Sequence, residues 1–188
     1  MDEIVIPASV LRLPVFHVRE SAAFNLGGLG AVIGHELSHA FDPNGMRFDA
    51  HGKLSTVSAP WYKAMSGVVD QQASRAGLNA ALTSGENVAD LAGLYAAHEA
   101  LVASEEHRKA GGRQVEMSRA FFIRWATKWA TKMSDDELKR RMLVDPHAPP
   151  TARCNGPCSN LEAFAKAFGI KQGDGMYLDP TKRARMWW

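Results

Sequence analysis

The sequence predicts a mainly α-helical fold with a small β-sheet, an α+β class in which the sheet is the minor part. Three observations lead there. Apolar residues recur at helical spacing in separate stretches near 29–41, 59–76, 83–101, 115–132 and 161–168. Strand signals are few: the short β-prone run Ile4-Val5-Ile6, and a polar, turn-rich stretch around 46–56 that could supply its partner. The chain has 188 residues, 46% hydrophobic and 22% charged, which suits one globular domain with a sizeable core. Within that single domain, 1–188, the expected parts are an extended N-terminal segment (1–24), a first group of helices (25–105) and a C-terminal helical part (115–188).

In order, Ile4-Val5-Ile6 is stopped by Pro7, and Pro14 breaks whatever 8–13 attempts. Asn25-Leu26-Gly27-Gly28-Leu29-Gly30 follows; its glycines either allow close backbone packing or make a flexible turn. No Lys-Ser/Thr follows them, so a phosphate loop is a poor reading. A helix is expected from 29 to 41, ended by Asp42-Pro43-Asn44-Gly45. Residues 48–58 are turn-rich and have room for a small hairpin. Ala59-Pro60-Trp61 looks like a helix start, with Trp61 and Met65 as core residues. Thr83 or Ser84 is the expected N-cap of the next helix, which runs through Leu91, Leu94, Tyr95, His98 and Leu101. A charged loop (105–114) leads to a core helix at 115–132 carrying Phe121, Phe122, Trp125 and Trp129. Ser134 with Glu137 makes a capping-box signature, and Gly169 closes a short helix at 161–168. The two terminal tryptophans, Trp187 and Trp188, suggest a docked end.

The totals exclude several function classes. Net charge is +2, and the Lys182–Arg185 cluster is short, so nothing argues for nucleic acid or a membrane surface. No apolar run reaches transmembrane length. The start, Met1-Asp2-Glu3-Ile4, is not a signal peptide, so the chain reads as cytoplasmic unless it was cut from a longer exported one. Cys154 and Cys158 lack a second pair to complete a zinc knuckle and read as free thiols or a local bridge.

The chemistry is carried by Val32-Ile33-Gly34-His35-Glu36-Leu37-Ser38-His39. Spacing of four puts His35 and His39 on one helix face, one turn apart, where both can bind a tetrahedral cation. Glu36 lies about 100° round the helix, so it can act as a general base on a metal-bound water. The bland alternative is a buried helix with two satisfied histidines, and the zinc reading needs a third donor. Glu86 and Asp90 share a face of a later helix. Glu86 is either that donor or a first-turn acid favoured by the helix dipole. Asp90 in turn would satisfy a ligand histidine. Asp42, three residues past His39, either orients that ring or merely ends the helix. His147, in a Pro-bounded loop, and Arg153 after it could bind an oxyanion and a carboxylate; alone, both would pass as solvated surface residues.

These pieces together resemble the neprilysin and endothelin-converting-enzyme family of zinc metallopeptidases, in its C-terminal catalytic part. The resemblance rests on Ile4–Ala8 with Pro14-Val15-Phe16, the run from Gly27 to Asp42, Gly85-Glu86-Asn87-Val88-Ala89-Asp90, Asp145-Pro146-His147-Ala148-Pro149 with Arg153, and a final Trp. It implies a zincin, thermolysin-like domain with one Zn2+ held by His35, His39 and Glu86. It makes Glu36 the base, Asp42 and Asp90 the carboxylates that orient the ligand rings, and His147 the oxyanion stabiliser. Arg153 would grip substrate backbone or its terminal carboxylate, and Val10, Val15, Val32 and Trp129 would line an S1′ pocket for bulky apolar residues. The implied function is a zinc metalloendopeptidase acting on peptides. The family's helical roof and its substrate-pairing edge strand are missing, so a partner subunit or homodimer is expected over the cleft. A zinc-containing module that binds peptides without cutting them, or a fragment of a full-length peptidase, is the alternative. The absence of the family's late Cys fits a bacterial type.

Overall fold

The computed structural model describes residues 3–55 and 60–185, with side chains from Tyr62 onward in the second stretch. Trp61, Trp187 and Trp188, expected as core or docked residues, lie outside the described side chains. The chain is mainly helical, at 67%. The expected small sheet is not seen among the described residues: Phe48 and Leu54 form an isolated bridge, the one pair in the described part (48–55) of the hairpin expected at 48–58. Ile4-Val5-Ile6 takes no regular structure and pairs with no described strand, and a lone strand cannot satisfy its backbone. Beyond Pro7 the segment turns into a short 3-10 helix, Ala8–Val10.

The two-histidine helix starts earlier than its sequence suggests. Ser21 caps α1 (Ala22–Asn25) by accepting from the Phe24 amide at 3.2 Å. The helix widens into a π turn, Leu26–Gly30, continues as α2 (Ala31–Ser38) and tightens into a 3-10 turn, His39–Phe41. The glycines serve close packing: a Cβ on Gly27 would strike the Phe121 carbonyl, and one on Gly28 the Val15 carbonyl.

Next come α3 (Pro60–Arg75) and the 24-residue α4 (Ala80–Ala103). The cap of α4 is Asn79, which accepts from the Leu82 amide, and not Thr83 or Ser84, which are buried inside the helix. Starting four residues early carries Glu86 out of the first turn and into the helix body. The charged loop holds a short α5 (Glu105–Lys109), capped by Ser104. The core helix, α6 (Gln114–Lys128), stops at Trp129, short of the expected 132. Ser134 caps α7 (Asp135–Val144) as its signature indicates. Residues 150–160, which look too rich in Pro and Gly for a helix, form α8 (Pro150–Asn160). Arg153 therefore stands on a helix, not in the loop with His147. Gly169, at φ 66°, closes α9 (Glu162–Phe168) in the left-handed conformation.

α2 and α4 cross at their glycines, where a Cβ on Gly34 would come within 2.7 Å of the Gly93 carbonyl. The main core lies under this crossing, with Val88, Leu91, Leu94, Leu101, Phe121, Phe122 and Trp125 fully buried. Deleting any of the large ones would cost about 3–5 kcal/mol.

His98 is buried in that core, stacked on Phe122 and hydrogen-bonded to Ser118 at 3.1 Å. Burial, then the neighbouring His107, hold its pKa down at about 4, against 6.5 when free. The unfolded chain therefore binds a proton that the folded one refuses. The stability this neutrality confers is complete above pH 6.5 and is lost as pH falls toward 4, by about 3 kcal/mol. Denaturant titrations at pH 7 and pH 4.5 should show a smaller drop for His98→Leu than for wild type; equal drops would refute the assignment.

Candidate metal centre

α2 and its 3-10 extension present His35 and His39 toward α4, which presents Glu86. The His35 and His39 Nε2 atoms are 3.2 Å apart. The Glu86 carboxylate closes the triangle, Oε2 at 3.2 Å from His35 Nε2 and Oε1 at 3.6 Å from His39 Nε2. One donor atom from each of the three residues lies within 4.8 Å of the other two.

The opposite edges of both rings face carboxylates. His39 Nδ1 is 2.7 Å from Asp42 Oδ2, and His35 Nδ1 is 2.9 Å from Asp90 Oδ1. A ring that gives its Nδ1 proton to a carboxylate keeps a lone pair on Nε2. Two such lone pairs and a carboxylate aimed at one point make a seat for a cation. Glu86 Oε2, buried without an aligned hydrogen-bond donor, agrees with that. Two nitrogens and an oxygen with an open fourth side are the donor set of a catalytic zinc site. With only protein around it, the same electrostatics favour a proton. Burial works against charge on His35, but the carboxylates of Asp90 and Glu86 beside its two nitrogens prevail and hold its pKa up at about 9. Burial would raise Glu86 too; His35 and His147 keep its carboxyl below the usual range.

The supporting carboxylates are themselves fixed. Asp42 accepts from the Asn44 and Gly45 amides, both at 2.7 Å, so its turn-forming and ring-orienting readings hold together. Asp90, 1% exposed, receives a two-pronged bond from Arg153, Nε to Oδ2 at 2.6 Å and Nη2 to Oδ1 at 2.8 Å. That pairing prevails over burial and holds Asp90 ionised. Arg153 also lies over the Trp129 ring at 4.4 Å.

Of the expected residues, His35, His39, Glu86, Asp42, Asp90, His147 and Arg153 meet at the centre, whereas the described contacts join neither Glu36 nor Val10, Val15 and Val32 to it. His147 does reach the centre, its Nε2 3.1 Å from Glu86 Oε2. Glu36 sits on the exposed side of α2. Trp129 lines a cavity of about 210 Å³ with His147 and Arg153, but Val10, Val15 and Val32 do not line it. A larger cavity, about 640 Å³, backs onto Asp90 and Arg153 from the other side, between α3, α4 and α8. Asp145 is a participant the sequence reading gave no role: its Oδ1 accepts from the His147 amide at 2.9 Å and sits 2.8 Å from His147 Nδ1. An Asp two residues before a His, with Pro between, was the available signal.

Two histidines four apart on one helix, a glutamate from the next, and a free Glu beside the first histidine define the metal-site class of the HExxH metallopeptidases. The sequence profile of peptidase family M13 matches residues 1–184. This chain belongs to that family. It is 36% identical to a neutral endopeptidase of Lactococcus lactis over 99% of its length, and 34% identical to neprilysin-1 of Caenorhabditis elegans. Its fold superposes on the crystal structure of PepO from Lactobacillus rhamnosis HN001 with a TM-score of 0.85 at 38% identity over 97% of the chain. With the zinc metalloprotease ZMP1 of Mycobacterium tuberculosis the TM-score is 0.82 at 32% identity over 96% of the chain. The chain spans 30% of the length of the Lactococcus enzyme, 27% of the nematode protein's, 29% of the PepO chain and 30% of the ZMP1 chain.

Proposed function

We propose that this chain is a zinc metallopeptidase domain that hydrolyses internal bonds of peptides. The observation that carries it is the convergence of His35 Nε2, His39 Nε2 and Glu86 on one point, with both rings backed by carboxylates. Bound there, zinc would lower the pKa of a water to about 7 and polarise the substrate carbonyl.

The chain's own residues supply the rest. Glu36 takes the proton of the attacking water on its carboxylate and passes it to the leaving amine. His147, its Nδ1 held by Asp145, offers Nε2–H to the oxyanion that develops on the carbonyl. Asp42 and Asp90 keep the ligand rings in the right tautomer. Arg153 gives Nε and Nη2 to Asp90, which leaves Nη1 for a substrate carbonyl or terminal carboxylate. Val10, Val15, Val32 and Trp129 belong to the proposed wall around the residue after the cut.

A partner subunit or second copy over the cleft is part of this reading. It is supported by Ile33 and Leu37 on α2 and Phe41 in its 3-10 extension, apolar side chains 38%, 56% and 42% exposed. No described helix is long and apolar enough to cross a membrane.

The test compares wild type with Glu36→Gln. Both should hold one zinc, while cleavage of a quenched peptide library by the variant drops about 10²–10⁴-fold. A zinc-loaded wild type without chelator-sensitive cleavage, alone or with a partner chain, would sink the enzymatic reading.

A further inference from the structure

Lys128 ends α6 immediately before Trp129 and points its ammonium into aromatic surroundings. Its Nζ lies 4.5 Å from the Trp125 ring centre and 4.4 Å from that of Trp129. Trp129 carries the Arg153 guanidinium as well, so one indole serves two cations. The two differ in their counter-charges. Arg153 has Asp90, whereas no described carboxylate pairs with Lys128 within 4.0 Å. Lys128 nevertheless stands beside the metal centre: it shares the Trp129 ring with Arg153, which bonds Asp90, the carboxylate behind His35. Burial brings its pKa down to about 8. Aromatic faces stabilise an ammonium only in part. A half-buried cation without a carboxylate partner is a ready receptor for one.

We propose that Lys128 is a specificity-determining residue: framed by Trp125 and Trp129, it receives a carboxylate of the peptide substrate. That carboxylate comes from an acidic side chain near the cut or from the peptide's own C-terminus. The inference rests on reading the cleft as a peptide site, and it adds a charge to the apolar preference the family resemblance implies.

The test measures binding, by calorimetry, to the zinc-loaded protein carrying Glu36→Gln. The probes are N-acetylated tetrapeptides Phe-Xaa-Ala-Ala with Glu, Gln or Leu as Xaa, each with a free or an amidated C-terminus. The carboxylate that Lys128 reads should tighten binding about tenfold over its neutral counterpart. Glu against Gln among the amidated peptides reports the side chain; free against amidated Gln peptides report the terminus. Lys128→Met should erase the difference and Lys128→Arg should keep it. Charge-blind binding, no binding, or a preference that survives Lys128→Met would overturn the proposal. Because the variant cannot cut, a wild type that cleaves nothing counts against the enzymatic reading and leaves a carboxylate preference standing. Cleavage without charge preference does the reverse.

Discussion

Glu86→Ala is expected to lose zinc by more than a hundredfold in affinity and to unfold at the same denaturant concentration with or without added zinc. Two imidazoles alone make a weak site, and the metal's contribution to folding disappears with its third donor. For wild type at a hundredfold excess of free zinc over its dissociation constant, that contribution is about 2.7 kcal/mol. In metal-free protein the same change removes the acceptor that His35, His39 and His147 share, so the three rings are left facing one another. Zinc titration with a competing chelator, followed by denaturant unfolding, reads both effects. Unaltered zinc affinity in Glu86→Ala would refute the ligand assignment.

Asp90→Ala should be the most destabilising single change near the centre, by about 3–5 kcal/mol, because it strands the Arg153 guanidinium, 12% exposed, without its counter-charge. It also releases His35 Nδ1, so zinc affinity falls by about 10–100-fold. Asp90→Asn keeps the shape and one acceptor oxygen and should lose much of the affinity with less of the stability. Denaturant midpoints and zinc affinities of both variants check this. An Asp90→Ala protein within about 1 kcal/mol of wild type would mean that the buried pair contributes less than its geometry indicates.

The metal centre was largely legible in the sequence because its parts are local patterns. His35, Glu36 and His39 are defined by helix periodicity, and Asp42 by its distance from His39. Glu86 was ambiguous until the cap moved to Asn79: a first-turn acid has a bland explanation that a mid-helix acid lacks. The bond from Arg153 to Asp90 spans 63 residues and leaves no local trace. Helix α8 was hidden for a related reason. Gly156 and Pro157 argue against helix by intrinsic preference, but Pro157, Cys158 and Asn160 are buried and tertiary packing prevails. Asn160 alone exchanges hydrogen bonds with Gln72 and accepts from the Ala184 amide. The sheet was over-read from three β-prone residues, whose pairing strand the described chain does not supply.

The π turn at Leu26–Gly30 has a consequence for how this chain tolerates length changes. An α-helix advances about 100° per residue, and a π turn behaves as one extra residue spliced into it. Helix α1 and Gly27, at the start of the π turn, pack on α6, while Gly34 and His35 beyond it pack on α4. The helix thus has two docking phases, and the splice is the offset between them. Removing any one residue from 26–30 would restore an unbroken α-helix and leave only one phase satisfied. If α6 kept its grip, both imidazoles would swing out of line with Glu86. Circular dichroism would then report an intact helix content while the zinc titration reported no site. A segment that looks like a spare glycine spacer is in fact a timing element: Gly27 and Gly28 give it room against its neighbours, and its residue count sets the phase.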